Sequence, residues 1–198
     1  MLNSNIKKMK RIILSFIFVV FAVASFAQAQ HLKFMGIPLN GTIHQFQQKL
    51  ASKGVRLNTL DNKILPAGVR AFKGVFSGYE ADIYVYYNSK TKIVYRAKAV
   101  IEASNLTYAE NVYETIKDGL HSKYEGNSFF TTGEQEEHES ITVAVFSTKN
   151  QNQLSLGLIG LYVTKSVYSW QEEERWIHVD YEDTANSDKN EALNGDDL

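Results

Sequence analysis

Between Val69 and Ile101 apolar and polar residues alternate through three consecutive segments, broken only by Ser77-Gly78 and by Asn88–Lys92. Alternation sends successive side chains to opposite faces of a strand. Connections this short lead only to an antiparallel neighbour, because a parallel crossover needs about a dozen residues or more. The stretch therefore demands strands Val69–Phe76, Tyr79–Tyr87 and Ile93–Ile101 in one antiparallel sheet. A two-residue turn at Ser77-Gly78 pairs Phe76 with Tyr79, Phe72 with Ile83, Gly74 with Ala81 and Lys73 with Asp82. A five-residue loop at Asn88–Lys92 pairs Tyr87 with Ile93, Val85 with Tyr95, Ile83 with Ala97, Tyr84 with Arg96 and Asp82 with Lys98. One face then collects Phe72, Phe76, Ile83, Val85, Tyr87, Ile93 and Tyr95. The other carries a Lys73–Asp82–Lys98 row of alternating charge. A slip of one residue would destroy both patterns.

A helix is expected ahead of these strands. Thr42 with Gln45 three residues on has the form of a capping box, Ile43, Phe46 and Leu50 make one apolar stripe, and Gly54 can close the element. The same grammar recurs: Thr107 and Glu110 as the box, Val112, Ile116 and Leu120 as the stripe, Gly126 at the end. Gly119 inside this second helix costs about 1 kcal/mol relative to alanine. Alternation returns at Ser128–Thr132, Ile141–Ser147, Leu154–Val163 and Trp176–Glu182. Helix and then antiparallel strands, twice, gives an α+β class and suggests duplication of one helix-plus-sheet unit, about residues 30–104 and 105–182, within a single compact domain.

What precedes and follows this domain has a different composition. Lys7, Lys8, Lys10 and Arg11 precede an apolar run from Ile12 to Ala27, and Ala27-x-Ala29 offers a cleavage site. This is the pattern of a secretory signal peptide over residues 1–29, leaving Gln30 as the mature N-terminus; an uncleaved anchor is the alternative. The expected location is periplasmic or secreted. Beyond residue 29 the chain holds 17 basic and 22 acidic residues. The segment 183–198 carries five of the acids and one lysine, lacks aromatic residues, and is expected to be a disordered acidic tail. The remaining body is near neutral, without the basic surplus of a nucleic-acid binder.

There is no cysteine. That removes disulfides, thiolate chemistry, Cys-type zinc sites and lipidation at a lipobox. No Gly-x-Ser-x-Gly elbow, phosphate loop or dinucleotide fingerprint occurs, and no cofactor is implied. Two groups could offer ligands to a divalent cation: Glu134, Glu136 and His138, and on the last strand His178, Asp180 and Glu182. Each is equally a solvated strand face. They support the alternative reading of the chain as a metal-dependent or other hydrolase. His138-Glu139 lacks the second histidine of a zinc-protease helix.

Phe34-Met35-Gly36-Ile37-Pro38-Leu39-Asn40-Gly41-Thr42-Ile43 with Phe46, Leu50, Lys53 and Gly54 resembles the opening of uncharacterised exported proteins of Gram-negative gut bacteria. Phe72-Lys73-Gly74, Phe76 and Gly78, and the closing Ile177-His178-Val179-Asp180-Tyr181-Glu182-Asp183 with Asn186, fit the same resemblance. It implies a tandem helix-plus-sheet fold, distantly like that of the β-lactamase inhibitor protein. It transfers no functional residue.

The preferred candidate site is the outward face of the first sheet: Tyr84, Tyr86, Val94, Arg96 and Lys98. Tyrosine and arginine recur as interface anchors because they combine area with a polar handle. The expectation is an exported, non-enzymatic binding module whose partner is an envelope or extracellular protein. It needs neither nucleic acid nor a membrane, apart from the signal segment before cleavage.

Overall fold

The computed structural model describes residues 30–133, 140–149, 152–166 and 174–195. The chain divides into two compact units, Met1–Gln30 and His31–Leu198, and the fold set out below is that of the second. The candidate ligands Glu134, Glu136 and His138 lie outside the described residues, as does the expected signal segment.

A small hairpin, β1 (Lys33–Phe34) and β2 (Ile37–Pro38), leads into helix α1 (Ile43–Ala51). Short β3 (Arg56–Leu57) and a 3-10 turn at Asp61–Lys63 precede β4 (Val69–Phe76), β5 (Tyr79–Tyr87) and β6 (Val94–Ala103). Helix α2 (Leu106–Tyr124) is followed by β7 (Ser128–Gly133), β8 (Ser140–Lys149), β9 (Asn152–Lys165) and β10 (Arg175–Asp183), then by helix α3 (Thr184–Gly195). β3 to β10 form one eight-stranded sheet in the order β3-β4-β5-β6-β10-β9-β8-β7, antiparallel throughout. The class is α+β. The two strand runs meet at β6 and β10, so they share one sheet.

The capping box of α1 forms as expected: Thr42 accepts from the Gln45 N–H, and Gln45 returns a bond to the Thr42 N–H. Ile43, Phe46 and Leu50 face inward and are buried. In α2 the stripe Val112, Ile116 and Leu120 is buried, with Ala109 and Tyr113. These residues join one apolar core with the inward positions of the sheet, among them Phe72, Ile83, Ile101, Ile159, Leu161, Ile177 and Val179. Phe34, stacked on Phe76 at 5.3 Å and edge-on to Tyr181 at 5.4 Å, ties the first hairpin to that core. Gly157 lets β9 approach β10: a Cβ there would stand 2.1 Å from the Glu182 carbonyl oxygen, so no larger residue fits without moving a strand.

Four expectations need correction. The second helix starts one residue before Thr107, at Leu106, and its cap is Asn105, whose side chain accepts the Tyr108 N–H at 2.8 Å. Asn105 serves the orphan donors of the first turn from two residues earlier, so Thr107 lies inside that turn and is not the N-cap. The segment after Asp183 is ordered through Gly195: α3 forms, and Asn186 and Ser187 are buried. Composition undervalued it, because it docks through polar side chains rather than apolar ones. Asn186 Nδ2 donates to the carbonyls of Leu39 (2.8 Å) and Val94 (3.2 Å).

The third and fourth corrections concern β5 and β6. The β4–β5 register is as expected, including Phe72 opposite Ile83 and Lys73 opposite Asp82. Across β5 and β6, however, Tyr87 pairs with Val94 and, after a bulge, Tyr86 pairs with Arg96, Tyr84 with Lys98 and Asp82 with Val100. The Gly41–Ile43 segment pairs with Lys92–Val94 and extends the loop by one residue; the bulge adds a second. Two one-residue shifts restore the original faces beyond Tyr95 but change every cross-strand partner. Val94, ahead of the bulge, turns inward and is fully buried, so it leaves the candidate site. Lys98 is not in a row with Asp82.

Candidate functional site

Both α1 and α2 bury their stripes in the core, and the opposite face of the sheet carries the outward positions of all the long strands. β5 contributes Asp82, Tyr84 and Tyr86, β6 contributes Arg96 and Lys98, β10 contributes Trp176, His178, Asp180 and Glu182, and β9 contributes Leu158, Gly160 and Tyr162. Of the sequence candidates, Tyr84, Tyr86, Arg96 and Lys98 therefore stand together as neighbours. Each is half-buried, as expected where side chains lie flat against one another.

The centre of this face is an ion pair. Arg96 donates from Nε to Asp180 Oδ1 at 2.8 Å and from Nη2 to Oδ2, a forked geometry. The carboxylate holds the guanidinium even more firmly protonated than usual, against the opposing effect of burial. The Arg96 guanidinium also lies over the Tyr86 ring, 4.9 Å from its centroid. Lys98 stands opposite both Tyr84 and Asp180, and burial lowers its pKa. Burial raises the phenols of Tyr84, Tyr86 and Tyr162, so they remain neutral donors. At the periphery Lys73 Nζ sits 3.4 Å from Asp82 Oδ1, an exposed contact of small energetic value.

On the other side of Asp180 the ring of His178 stacks on Tyr162 at 4.6 Å and 7°. Its Nε2 is 2.8 Å from the Thr164 hydroxyl, while Nδ1 is buried without a hydrogen-bond partner among the described residues. A proton on Nε2 leaves only a lone pair unsatisfied at Nδ1, the cheaper arrangement. Burial, followed by the charge of Lys98, pushes His178 down to about 4, with Asp180 opposing. His178, Asp180 and Glu182 thus share a face, as the alternation implied, but each is directed to a different neighbour: Thr164, Arg96 and Ser187 respectively. Among the described residues no group of three or more His, Cys, Asp or Glu could hold a metal ion.

The face continues toward β7 with a more apolar character. Phe129, Ala144 and Leu158 lie in one cross-strand row with Glu182, Arg96 and Tyr86. Phe129 is 61 % exposed and Leu158 48 % exposed, and Phe129 meets Phe146 edge-on at 5.4 Å. Sequence reasoning did not find Tyr162, Trp176 or Phe129 as members of this surface. Their outward phase was readable from alternation, but nothing local says that the last strand pairs with β6. Comparison with models of protein families, with curated proteins and with solved structures finds no match for this chain.

Proposed function

We propose that this chain is an exported, non-enzymatic binding module of the cell envelope, and that its partner is a protein docking on the open face of the sheet. The observation that carries the reading is one continuous row on that face, from Tyr86 and Arg96 to Leu158 and exposed Phe129. Large aromatic area, an arginine held in place by a carboxylate, and an apolar end are the composition of an interface core. His178, Asp180 and Glu182 are directed to Thr164, Arg96 and Ser187 rather than converging on one point, which favours recognition over acid–base chemistry. Export rests on the Lys7–Ala29 pattern of charge, apolar run and small residues. The mirrored strand order about β6 and β10 supports the further reading that the two helix-plus-four-strand runs are copies of one duplicated unit.

The test replaces side chains on this face that support little else. Tyr84→Ala with Lys98→Ala, and separately Phe129→Ser, should leave cooperative unfolding intact and abolish capture of the envelope protein that the parent retrieves. Retention of that partner by both variants refutes the reading. Arg96 is unsuitable for this purpose, since its removal strands Asp180.

A further inference from the structure

A second feature lies on the helical side of the sheet. A cleft of about 600 Å³ is lined by the turn residues Met35 and Ser77, by Lys53 and Lys123, and by Ile116 and Gly119 of α2. Its floor is apolar and aromatic: Phe76, Ile116, Leu120 and Tyr181 are almost wholly buried. Burial pushes the Tyr181 hydroxyl far up, and its bond to Tyr124 adds to this, so it stays protonated. Two cations stand among the lining residues. Lys123 Nζ lies 4.8 Å from the Tyr124 centroid and 5.9 Å from that of Tyr181, and Lys53 Nζ lies against Gly36. Neither lysine has an acidic partner among the described residues.

Two local features of the chain lie at this cleft. Met35-Gly36 and Ser77-Gly78 are two-residue hairpin turns with positive φ at both positions, 50° and 75° in the first and 51° and 91° in the second. Such turns favour Asn or Asp at the first position, and other residues there are strained. Met35 and Ser77 accept that strain, and both line the cleft. Sites of backbone strain concentrate where a side chain is needed for binding. Gly119 is the other feature. It sits in the interior of α2, where glycine costs about 1 kcal/mol relative to alanine. No neighbouring element comes within 4 Å of where its Cβ would stand. Gly119 is exposed, and a longer side chain placed there would project into the open space of the cleft.

We infer that this cleft binds a small amphipathic anion, with its apolar body on Phe76, Ile116, Leu120 and Tyr181 and its anionic head between Lys53 and Lys123. A cavity of this size suits a ligand of small-molecule dimensions, and a few polar groups at an apolar site fix orientation. The adaptable Met35 side chain can close over bodies of different shape.

The experiment uses dodecanoate as probe, dodecanol as its neutral counterpart, and calorimetric titration of the purified protein. Dodecanoate should bind saturably at one site per chain, and dodecanol about tenfold or more weaker, as loss of a charge-assisted contact implies. Gly119→Leu should unfold at least as late as the parent on heating and yet lose binding, because the new side chain occupies the cleft. Lys53→Ala with Lys123→Ala should weaken dodecanoate about tenfold or more and leave dodecanol unchanged. Absence of saturable binding by the parent, unaltered affinity in Gly119→Leu, or equal affinity for the acid and the alcohol would overturn the inference.

Discussion

The buried carboxylate of Asp183, at the end of β10, accepts the backbone N–H of Leu32 at 2.9 Å. The two residues are 151 positions apart, so this bond fastens the start of the folded body to its last helix. The same carboxylate accepts the Asn186 N–H at 3.0 Å, capping the first turn of α3, and meets His31 Nδ1 at 3.0 Å. Asp183 has no exposed surface. Removing it leaves buried donors without partners, each costing about 1–3 kcal/mol. Asp183→Ala should therefore lower stability by about 3 kcal/mol in urea denaturation. Truncation after Asp183, which composition alone treats as harmless, should also destabilise, since Asn186 leaves with it. Denaturation midpoints equal to the parent in both variants would show that α3 does not dock.

Asn105 carries the second helix start. Its side chain meets a donor that α2 cannot satisfy internally, so Asn105→Ala should cost about 1 kcal/mol. Thr107→Ala, inside the exposed first turn, should change stability by less than about 0.5 kcal/mol. The reverse order of effects in denaturant titrations would move the helix start back to Thr107.

The pattern of successes has a physical basis. Strand phase is a local property, and the β4 and β5 boundaries at Val69, Phe76, Tyr79 and Tyr87 were readable because Ser77-Gly78 leaves one turn geometry. Pairing across Asn88–Lys92 was not, because Lys92–Val94 is claimed by residues 41–43, an interaction no local rule encodes. Tyr84 and Tyr86 were phased outward by the regular β4–β5 register, and Arg96 and Lys98 because two successive shifts cancel in parity. Asp180 was recognised only as a member of its own strand; its partner Arg96 required knowledge that β10 pairs with β6.

His178 predicts a pH dependence. Its folded pKa lies at about 4, below the ordinary value of 6.5. Above 6.5 both folded and unfolded states hold it neutral and it has no effect. As pH falls from 6.5 toward 4 the unfolded chain takes up a proton that the folded chain refuses, so stability is lost across that window and levels off below it. His178→Gln should flatten this part of the stability profile, measured by denaturant midpoints between pH 4 and 7. An identical slope in parent and variant would assign the acid sensitivity to other groups.

Arg96 and Asp180 allow the sheet face to be tested as a structural unit. Asp180 is 11 % exposed and Arg96 34 %, so this pair is neither a surface contact nor fully desolvated. Breaking such a pair from one side leaves the other charge poorly solvated, which costs more than the pair contributes in net terms. Arg96→Ala should therefore destabilise by about 2 kcal/mol, more than an exposed arginine would, because Asp180 loses its forked partner and Tyr86 loses its cation. Asp180→Ala should cost a similar amount by stranding Arg96 on Tyr86. The double variant should be less destabilised than the sum of the two singles, with a coupling of about 1–3 kcal/mol from the double-mutant cycle. A coupling near zero would mean that the forked geometry is not maintained in solution. A large coupling would establish Arg96 as a fixed, pre-oriented group on the open face, which is the state a binding surface requires of its central arginine.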